Sequence, residues 1–227
     1  MKTLKKQICI IGTDTGIGKT YITCNILKIL KKYNYKVKAI KPIATGVIKI
    51  GDKFLNEDAY LLSQEVNTDI SDSEINPICF TPPIAPHIAA EIIKYPLSVI
   101  DVINKNNKTI SNNDYDYLFI EGVGGLMVPL NKNETYINLL QSWEFPVILV
   151  VGIKLGCINH TLLTYNQLKM HKIPILGWVA NCIDREMNFL INNIDYLQNK
   201  LSCPMLGVND FQKELKPTLD FNKIFLN

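Results

Sequence analysis

The sequence has no long hydrophobic run, few histidines and few tryptophans. Its longest apolar stretch, 145–153, falls well short of the ~20 residues that a membrane-spanning helix needs. The first residues carry lysines and then a short apolar run, without the longer apolar segment and small-residue cleavage site of a secretory signal. We therefore expect a cytoplasmic protein that has no membrane partner.

The cysteines show no pattern typical of a disulfide framework or a zinc site. The six cysteines form no Cys-x-x-Cys pair, and none has a histidine at the spacing of a zinc finger. Cys9, Cys182 and Cys203 lie in or beside apolar runs that are typical of strands. We therefore expect buried, reduced thiols rather than disulfides or zinc ligands.

The composition is that of an ordinary globular domain. Of the 227 residues, 47% are hydrophobic and 20% are charged, so the chain can bury a large core without disulfides or a structural metal. The net charge of +3 gives no reason to propose a nucleic-acid partner. We expect a single domain that spans residues 1–227.

Short apolar runs alternate with segments of helical spacing. The expected strands are 7–12, 37–41, 117–121, 147–152, 175–180 and 205–208. The expected helices begin at residue 19 and continue with 57–65, 97–104, 137–143, 159–170 and 186–200. This alternation predicts an α/β fold with a mostly parallel central sheet flanked by helices on both faces, whose ligands bind beyond the carboxyl ends of the strands. The segment 76–88 holds four prolines and is expected to be neither helix nor central strand.

The stretch GTDTGIGKT, residues 12–20, joins the first expected strand to the first expected helix, although Thr13 replaces the first glycine of the usual phosphate-loop spacing. Its glycines let backbone N–H groups converge on an anion, and the helix N-terminus favours negative charge. Lys19 can reach the β and γ phosphates, and the Thr20 hydroxyl can bind Mg²⁺. A dinucleotide-binding fingerprint would need glycine or alanine in place of Tyr21. We therefore predict a phosphate loop and a P-loop NTPase-like fold.

Charged residues near other expected strand ends extend this site. Glu121 ends a strand just before glycines, where a carboxylate beside a phosphate loop can contact Mg²⁺; a solvated carboxylate is the alternative. Lys41 closes another strand, where an ammonium can stabilise a transferring phosphoryl group or an anionic substrate; a surface lysine is the alternative. Asp58 lies early in a helix, where the helix dipole alone favours an acid.

Several polar residues leave more than one interpretation open. Asn159 lies near the start of a helix and could simply cap it. Asn181 ends a strand and could either pair with a purine edge or hold a turn. His87, His160 and His171 have no assignable chemistry. His87 and His160 lie in motif segments, and structural hydrogen bonding is the interpretation we favour for these two.

Together these segments resemble the dethiobiotin synthetases, ATP-dependent carboxylases of biotin biosynthesis. The resemblance runs from about residue 8 to residue 181 and is carried, in order, by GTDTGIGKT, KPIATG, NEDA, NPICFTPPIAPH, EGVGG, PVILVVGIKLGCINH and GWVAN. It implies that 7,8-diaminononanoate takes up CO₂ as a carbamate and that ATP phosphorylates this to a carbamic–phosphoric anhydride. The second amine then closes the ring and releases phosphate.

The resemblance also implies roles for individual residues, with ATP as co-substrate and Mg²⁺ as cofactor. Lys19 and Lys41 would be catalytic. The metal would be held by Thr20, Asp58 and Glu121. The nucleotide site would comprise Thr15, Gly16, Ile17, Gly18, Lys19, Thr20, Tyr21, Asp58, Glu121, Gly122, Val123, Gly124 and Asn181. The substrate contacts would be Thr15, Thr45, Gly124, Leu155 and Asn159. Family members are homodimers, so residues 154–159 would reach the partner subunit's site.

Other enzyme and switch classes remain as alternatives. A partition- or septum-type ATPase switch carries an extra loop lysine, which falls on Asp14 here. A GTPase switch would need an Asn-Lys-x-Asp motif, and neither NKNN at 104–107 nor NKNE at 131–134 supplies the aspartate. Another P-loop synthetase of cofactor biosynthesis is the nearer rival, because a fold alone does not fix the substrate.

One departure from the family pattern concerns the nucleotide base. Members usually carry a Pro-x-Leu element and a following acid after the last parallel strand, and these help to hold the base. Here the segment 207–215 reads GVNDFQKEL, without that proline. We therefore expect weaker or less selective binding of adenine than is usual in the family.

Overall fold

A computed structural model describes residues 6–112, 114–211 and 214–226. Its strands are β1 (Lys6–Gly12), β2 (Val37–Ile40), β3 (Ile43–Thr45), β4 (Ile48–Ile50), β5 (Lys53–Leu55), β6 (Ile78–Phe80), β7 (Tyr117–Gly125), β8 (Val147–Ile153), β9 (Ile175–Cys182), β10 (Met205–Asp210) and β11 (Lys216–Pro217). Its helices are α1 (Lys19–Lys32), α2 (Glu57–Ser63), α3 (Asp72–Ile75), α4 (Pro86–Ile92), α5 (Val99–Ser111), α6 (Tyr136–Trp143), α7 (Cys157–Met170), α8 (Leu190–Lys200) and α9 (Leu219–Phe225).

Within the described residues, a seven-stranded sheet forms the centre of the protein. The strand order is β11-β10-β9-β8-β1-β7-β2, and all neighbours are parallel except β11, which pairs antiparallel with β10 at one edge. Every expected strand is confirmed as a member of this sheet. Two smaller sheets lie outside it, β3 with β6 and β4 with β5.

The central strands owe their position to apolar residues on both faces. Every residue of β8 is buried, as expected for a parallel strand that is covered by helices on both sides. β1 lies between β8 and β7, so its carboxyl end opens at the middle of the sheet. α1 follows directly and buries Ile22, Ile26 and Leu30 along one face. The loop between β1 and α1 is therefore held on two well-packed elements.

The proline-rich segment 76–88 is only partly what the sequence predicts. Ile78–Phe80 pairs with β3 outside the central sheet, as expected for a segment that cannot be a central strand. The exclusion of helix is wrong for its last residues, because α4 begins at Pro86. Proline is well suited to the first helical position, where its fixed φ fits and its missing N–H would have no helical partner.

Two local expectations also need correction. α7 begins at Cys157 with Gly156 (φ 89°) as its N-cap, so Asn159 lies inside the first turn and does not cap the helix. All six cysteines lie in the described residues and are free thiols, but only Cys9, Cys157 and Cys182 are buried. Cys24 and Cys203 are half-buried, and Cys79 is exposed. Among the residues that the structure describes, no helix is both long enough and apolar enough to cross a membrane.

Candidate active site

The loop at the carboxyl end of β1 has the backbone conformation that its glycines predict. Gly16 and Gly18 adopt φ values of 70° and 83°, in the left-handed region that favours glycine. Gly18 also needs to be glycine for space, because a Cβ there would overlap the amide nitrogen of Asn181. The loop therefore packs its backbone directly against the end of β9.

Asp14 ties this loop to its surroundings. Its Oδ1 accepts a hydrogen bond from the backbone N–H of Thr15 at 2.8 Å, and its Oδ2 lies 2.9 Å from the ammonium of Lys154. Its carbonyl oxygen accepts from Lys19 Nζ at 3.1 Å. The residue that stands at the extra-lysine position of switch ATPases is therefore an acid in an ion pair.

Lys19 lies deep in the site. It is buried, and this burial, together with the nearby charge of Lys41, lowers its pKa to about 8. Acids around it, Glu121 and Asp58 among them, oppose that shift only in part. A desolvated ammonium close to a second ammonium favours an anion between or beside them.

The second ammonium, that of Lys41, is enclosed by oxygen atoms. Its Nζ lies 2.8 Å from Asp58 Oδ2 and 2.6 Å from Glu121 Oε1, and it also donates to the carbonyl of Gly122 at 3.3 Å. Burial alone would lower the pKa of Lys41, but the two carboxylates outweigh it and the net shift is upward. Lys41 therefore stays protonated, and the surface-lysine alternative is wrong.

Hydrogen bonds and ion pairs also fix the positions of the two acids, Glu121 and Asp58. Thr20 Oγ1 donates to Glu121 Oε1 at 2.7 Å, and Glu121 is buried on β7 just before the shift in its register with β1. Burial would raise the pKa of Asp58, but the charge and hydrogen bond of Lys41 lower it overall. Asn56 caps α2 by accepting from the backbone N–H of Ala59, which places Asp58 in the first turn facing Lys41.

The oxygens of Thr20, Asp58 and Glu121 fit a magnesium ion in chemical type. Carboxylate and hydroxyl oxygens are the hard ligands that Mg²⁺ prefers. Glu121 Oε2 is buried and has no hydrogen-bond partner among the described residues, so this oxygen is available to bind a metal ion. In the described part of the chain no three His, Cys, Asp or Glu side chains cluster as a complete metal site, so substrate oxygens and water would supply the remaining ligands.

The predicted substrate contacts fall on two sides of the loop. Thr15 and Gly124 are neighbours, since a Cβ on Gly124 would lie 3.2 Å from Thr15 Oγ1. Thr45 ends β3, and its carbonyl accepts from Asn56. Leu155 precedes α7 and is 88% exposed, and Asn159 lies on the first turn of that helix. Among the described residues, neither Leu155 nor Asn159 forms a hydrogen bond or ion pair with Lys41.

A cavity of about 460 Å³ adjoins the loop on the α7 side. Its lining includes Thr13, Asp14, Met127, His160 and Leu163. No sequence pattern pointed to the segment that follows Gly125, because its residues are apolar and carry no motif. His160 therefore lies beside the loop, whereas His87 lines a different cavity, between α4 and the segment that precedes α6.

A second cavity, of about 370 Å³, lies on the β9 side of the loop. It is lined by Gly16, Gly18, Tyr21, Asn181, Cys182, Ile183, Arg185, Asn209 and Phe211. Sequence reasoning found Asn181 and Tyr21 here but missed Arg185, which follows β9, and Asn209 and Phe211, which reach this wall because β10 pairs with β9. Gln212 and Lys213, in the segment that departs from the family pattern, lie outside the described residues. The expected weaker or less selective binding of adenine stays a prediction.

A glycine loop between a central parallel strand and a helix that starts with Lys19-Thr20, with an acid on the neighbouring strand, defines a P-loop NTPase. Solved structures agree with this fold. The septum site-determining protein MinD complexed with Mg-ADP from Pyrococcus horikoshii matches with a TM-score of 0.55 at 20% identity, covering 90% of this chain and 81% of that chain. A ParA family ATPase from Chlorobium tepidum matches with a TM-score of 0.55 at 15% identity, covering 94% and 86%.

Sequence relatives narrow the class to one family. A family model described as an AAA domain matches residues 6–218. The ATP-dependent dethiobiotin synthetase of Legionella pneumophila (strain Paris) is 43% identical over 91% of this chain and 94% of its own length. The enzyme of the same name from Wigglesworthia glossinidia brevipalpis is 42% identical over 96% of both chains. This chain belongs to the dethiobiotin synthetase family.

Proposed function

We propose that this protein catalyses the ATP-dependent carboxylation and ring closure of 7,8-diaminononanoate with CO₂ to form dethiobiotin, a step of biotin biosynthesis. The observation that carries the proposal is the pairing of two buried lysines, Lys19 and Lys41, at the mouth of a phosphate loop. ATP and a carbamate are both anions, and joining them requires concentrated positive charge. The names of the relatives supply the product, dethiobiotin, and the dependence on ATP.

The loop and helix α1 bind the nucleotide. Backbone N–H groups around Gly16 and Gly18 surround its phosphates, with Lys19 reaching the β and γ phosphates. The base lies on the β9 side, against Asn181 and Tyr21 in the cavity of about 370 Å³. The lining of this cavity by Gly16, Gly18, Tyr21 and Asn181 supports the assignment of these residues to nucleotide binding.

Lys41 acts on the group that is transferred. The diamine, held through Thr15, Thr45 and Gly124 and through Leu155 and Asn159 of a second copy, presents its carbamate oxygen to the γ-phosphate beside this ammonium. As the P–O bond to ADP breaks and the bond to the carbamate oxygen forms, Lys41 neutralises the equatorial oxygens. The free amine then attacks the anhydride carbon, and phosphate leaves with the bonding electron pair.

Thr20, Asp58 and Glu121 are the residues that would hold Mg²⁺, with Gly122, Val123 and Gly124 lining the approach of the phosphates. When bound, the ion supplies positive charge to the β and γ phosphate oxygens. The buried Oε2 of Glu121 supports this assignment. Asp58, which lies at the more open side, holds Lys41 in the same network.

We further propose that the protein works as a homodimer in the cytoplasm. Met127, Leu155, Leu163 and Met170 are all more than half exposed, and Leu163 and Met170 lie seven residues apart on the same face of α7. A soluble monomer rarely leaves such an apolar stripe uncovered. A second copy that covers it would bring its own Leu155 and Asn159 toward this site.

The state of the cysteines supports the proposed location in the cytoplasm. All six are free thiols, which agrees with a reducing compartment.

Product formation tests the proposed function directly. Purified protein is incubated with diaminononanoate, bicarbonate, ATP and Mg²⁺, and the mixture is analysed by mass spectrometry. We expect the mass of dethiobiotin, increased by one unit when ¹³C-bicarbonate replaces the natural isotope. Absence of that product with a folded, ATP-binding protein would refute the proposal.

A further inference from the structure

Two buried asparagines form a hydrogen-bonded chain behind the phosphate loop. Asn209 Nδ2 donates to Asn181 Oδ1 at 2.7 Å, and Asn181 Nδ2 donates to the carbonyl of Ile17 at 2.7 Å. The two residues are register partners on the neighbouring parallel strands β9 and β10. Asn181 is 3% exposed and Asn209 is 1% exposed, so water cannot replace these bonds easily.

This chain permits one orientation of the Asn181 amide. The carbonyl of Ile17 can only accept, so Asn181 must turn its nitrogen toward the loop. Its oxygen then faces Asn209, which must donate through its own nitrogen. A rotated Asn181 amide would set two oxygens together at Ile17 and two NH₂ groups together at Asn209. Asn209 Oδ1 has no hydrogen-bond partner among the described residues, so the carbonyl of Ile17 sets the orientation of Asn181 and the hydrogen bond from Asn209 adds to the cost of rotating it.

The fixed amide keeps one donor and one acceptor for a ligand. A primary amide has two N–H donors and two lone pairs, and the two internal bonds use one of each. The remaining N–H and lone pair match adenine, which offers the N7 acceptor beside the N6 amino donor. Guanine offers two acceptors, N7 and O6, on the same edge and leaves the amide oxygen of Asn181 unpaired.

We propose that Asn209 is a positioning residue that sets the nucleotide-base preference of this enzyme through the amide of Asn181. The inference rests on the proposed placement of the base beside Asn181. Asn209 lies in the segment 207–215, which lacks the family's Pro-x-Leu element, and donates from there to Asn181 Oδ1. Tyr21 and Phe211 line the same cavity and offer apolar contact that any base can use. The donor and acceptor of the Asn181 amide, by contrast, distinguish adenine from guanine.

Two variants remove the donor in different ways. Asn209→Leu keeps the approximate volume but has no polar atoms, and Asn209→Asp keeps the shape but offers only acceptors. A matched control is Asn106→Leu on α5. Asn106 is likewise fully buried, donates to the backbone carbonyl of Val102 at 2.7 Å, and has an Oδ1 without a partner among the described residues.

The measurement is the ratio of dissociation constants for non-hydrolysable GTP and ATP analogues with Mg²⁺ and without diamine, together with the melting temperature of each variant. We expect the wild-type protein to bind the ATP analogue more tightly than the GTP analogue. Both Asn209 variants should lower the ratio of the GTP to the ATP dissociation constant by about tenfold, the scale of one amide contact that reads a base. The change should come from weaker binding of the ATP analogue. Asn106→Leu should lower the melting temperature and leave the ratio unchanged. An unchanged ratio in a folded Asn209 variant, or a wild-type protein without a base preference, would overturn the inference. Because no turnover is involved, failure of dethiobiotin synthesis would be seen separately.

Discussion

The ammonium of Lys41 lies 2.6 Å from Oε1 of Glu121, with both side chains almost completely removed from solvent. Thr20 donates to the same oxygen, so β7, α1 and the end of β2 meet at one atom. A buried ion pair of this kind typically costs about 3–5 kcal/mol to break by removing one partner. Its bonds therefore hold Lys41 in place before any substrate arrives.

Replacing Lys41 should affect the chemical step more than nucleotide binding. In Lys41→Gln the charge beside the transferring phosphoryl group is gone, and we expect kcat to fall by about 100-fold or more. The dissociation constant of ATP should rise far less, because the loop and Lys19 remain. Steady-state rates of dethiobiotin formation and calorimetric ATP binding measure the two effects.

Lys38→Gln is the matched control for that change. Lys38 is also a buried lysine; it lies on β2, near the amino end of the strand, and its Nζ is 2.8 Å from Asp114 Oδ1. Its replacement should lower the melting temperature and leave kcat per folded molecule unchanged. Unaltered turnover in Lys41→Gln would exclude the catalytic role of Lys41.

ATP binding should take up a proton in mildly alkaline solution. The pKa of Lys19 is lowered to about 8 by burial and by Lys41, so most Lys19 side chains are neutral at pH 8.5 in the free protein. Bound phosphates favour the ammonium and raise this pKa again. We expect uptake of more than half a proton at pH 8.5 and almost none at pH 7, from calorimetry in buffers of different ionisation enthalpy.

The nucleotide does not account for this uptake, because phosphate groups titrate near a pKa of about 6. Lys19→Arg is the control, since its guanidinium stays charged throughout this range. Equal binding enthalpies in all buffers at pH 8.5 for the wild-type protein would show that Lys19 is already protonated.

The two left-handed glycines of the loop should differ in their tolerance of alanine. At Gly16 a Cβ meets nothing within 4 Å, so Gly16→Ala should cost only the left-handed strain, about 1–2 kcal/mol. At Gly18 the Cβ would also strike the Asn181 amide. Gly18→Ala should therefore be less stable and lose ATP affinity, as thermal melting with and without ATP would reveal. Identical melting and binding for the two variants would contradict the close packing of the loop on β9.

The exposed apolar stripe that includes Met127, Leu155, Leu163 and Met170 should hold two copies of the protein together. We expect Leu163→Glu, which places a charge in that stripe, to convert a dimer to a monomer in size-exclusion chromatography with light scattering. Leu219→Glu is the control, because Leu219 is an exposed leucine at the start of α9. A wild-type monomer, or a Leu163→Glu dimer, would argue against this interface.

The sequence predicts those parts of the site that are local. The phosphate loop follows from a strand, glycines and Gly-Lys-Thr within one short stretch, and continuous apolar runs such as β8 identify the buried parallel strands. The start of α4 at Pro86 was missed because proline breaks a helix interior but suits its first position.

Contacts between distant segments could not be predicted in the same way. Lys41 is 80 residues from Glu121, and its place between two carboxylates depends on the order of β2 and β7 in the sheet. Asn209 carries no motif, and its contact with Asn181 exists only because β9 and β10 pair in one register. Register is set by packing across the whole sheet rather than by the residues beside the site.

The most direct test measures ATP hydrolysis by the purified protein with and without diaminononanoate and bicarbonate. If Lys19 and Lys41 bring the γ-phosphate to a carbamate, phosphate release should require both compounds and equal the dethiobiotin formed. Equal phosphate release in their presence and absence would contradict the assignment of this site to dethiobiotin synthesis.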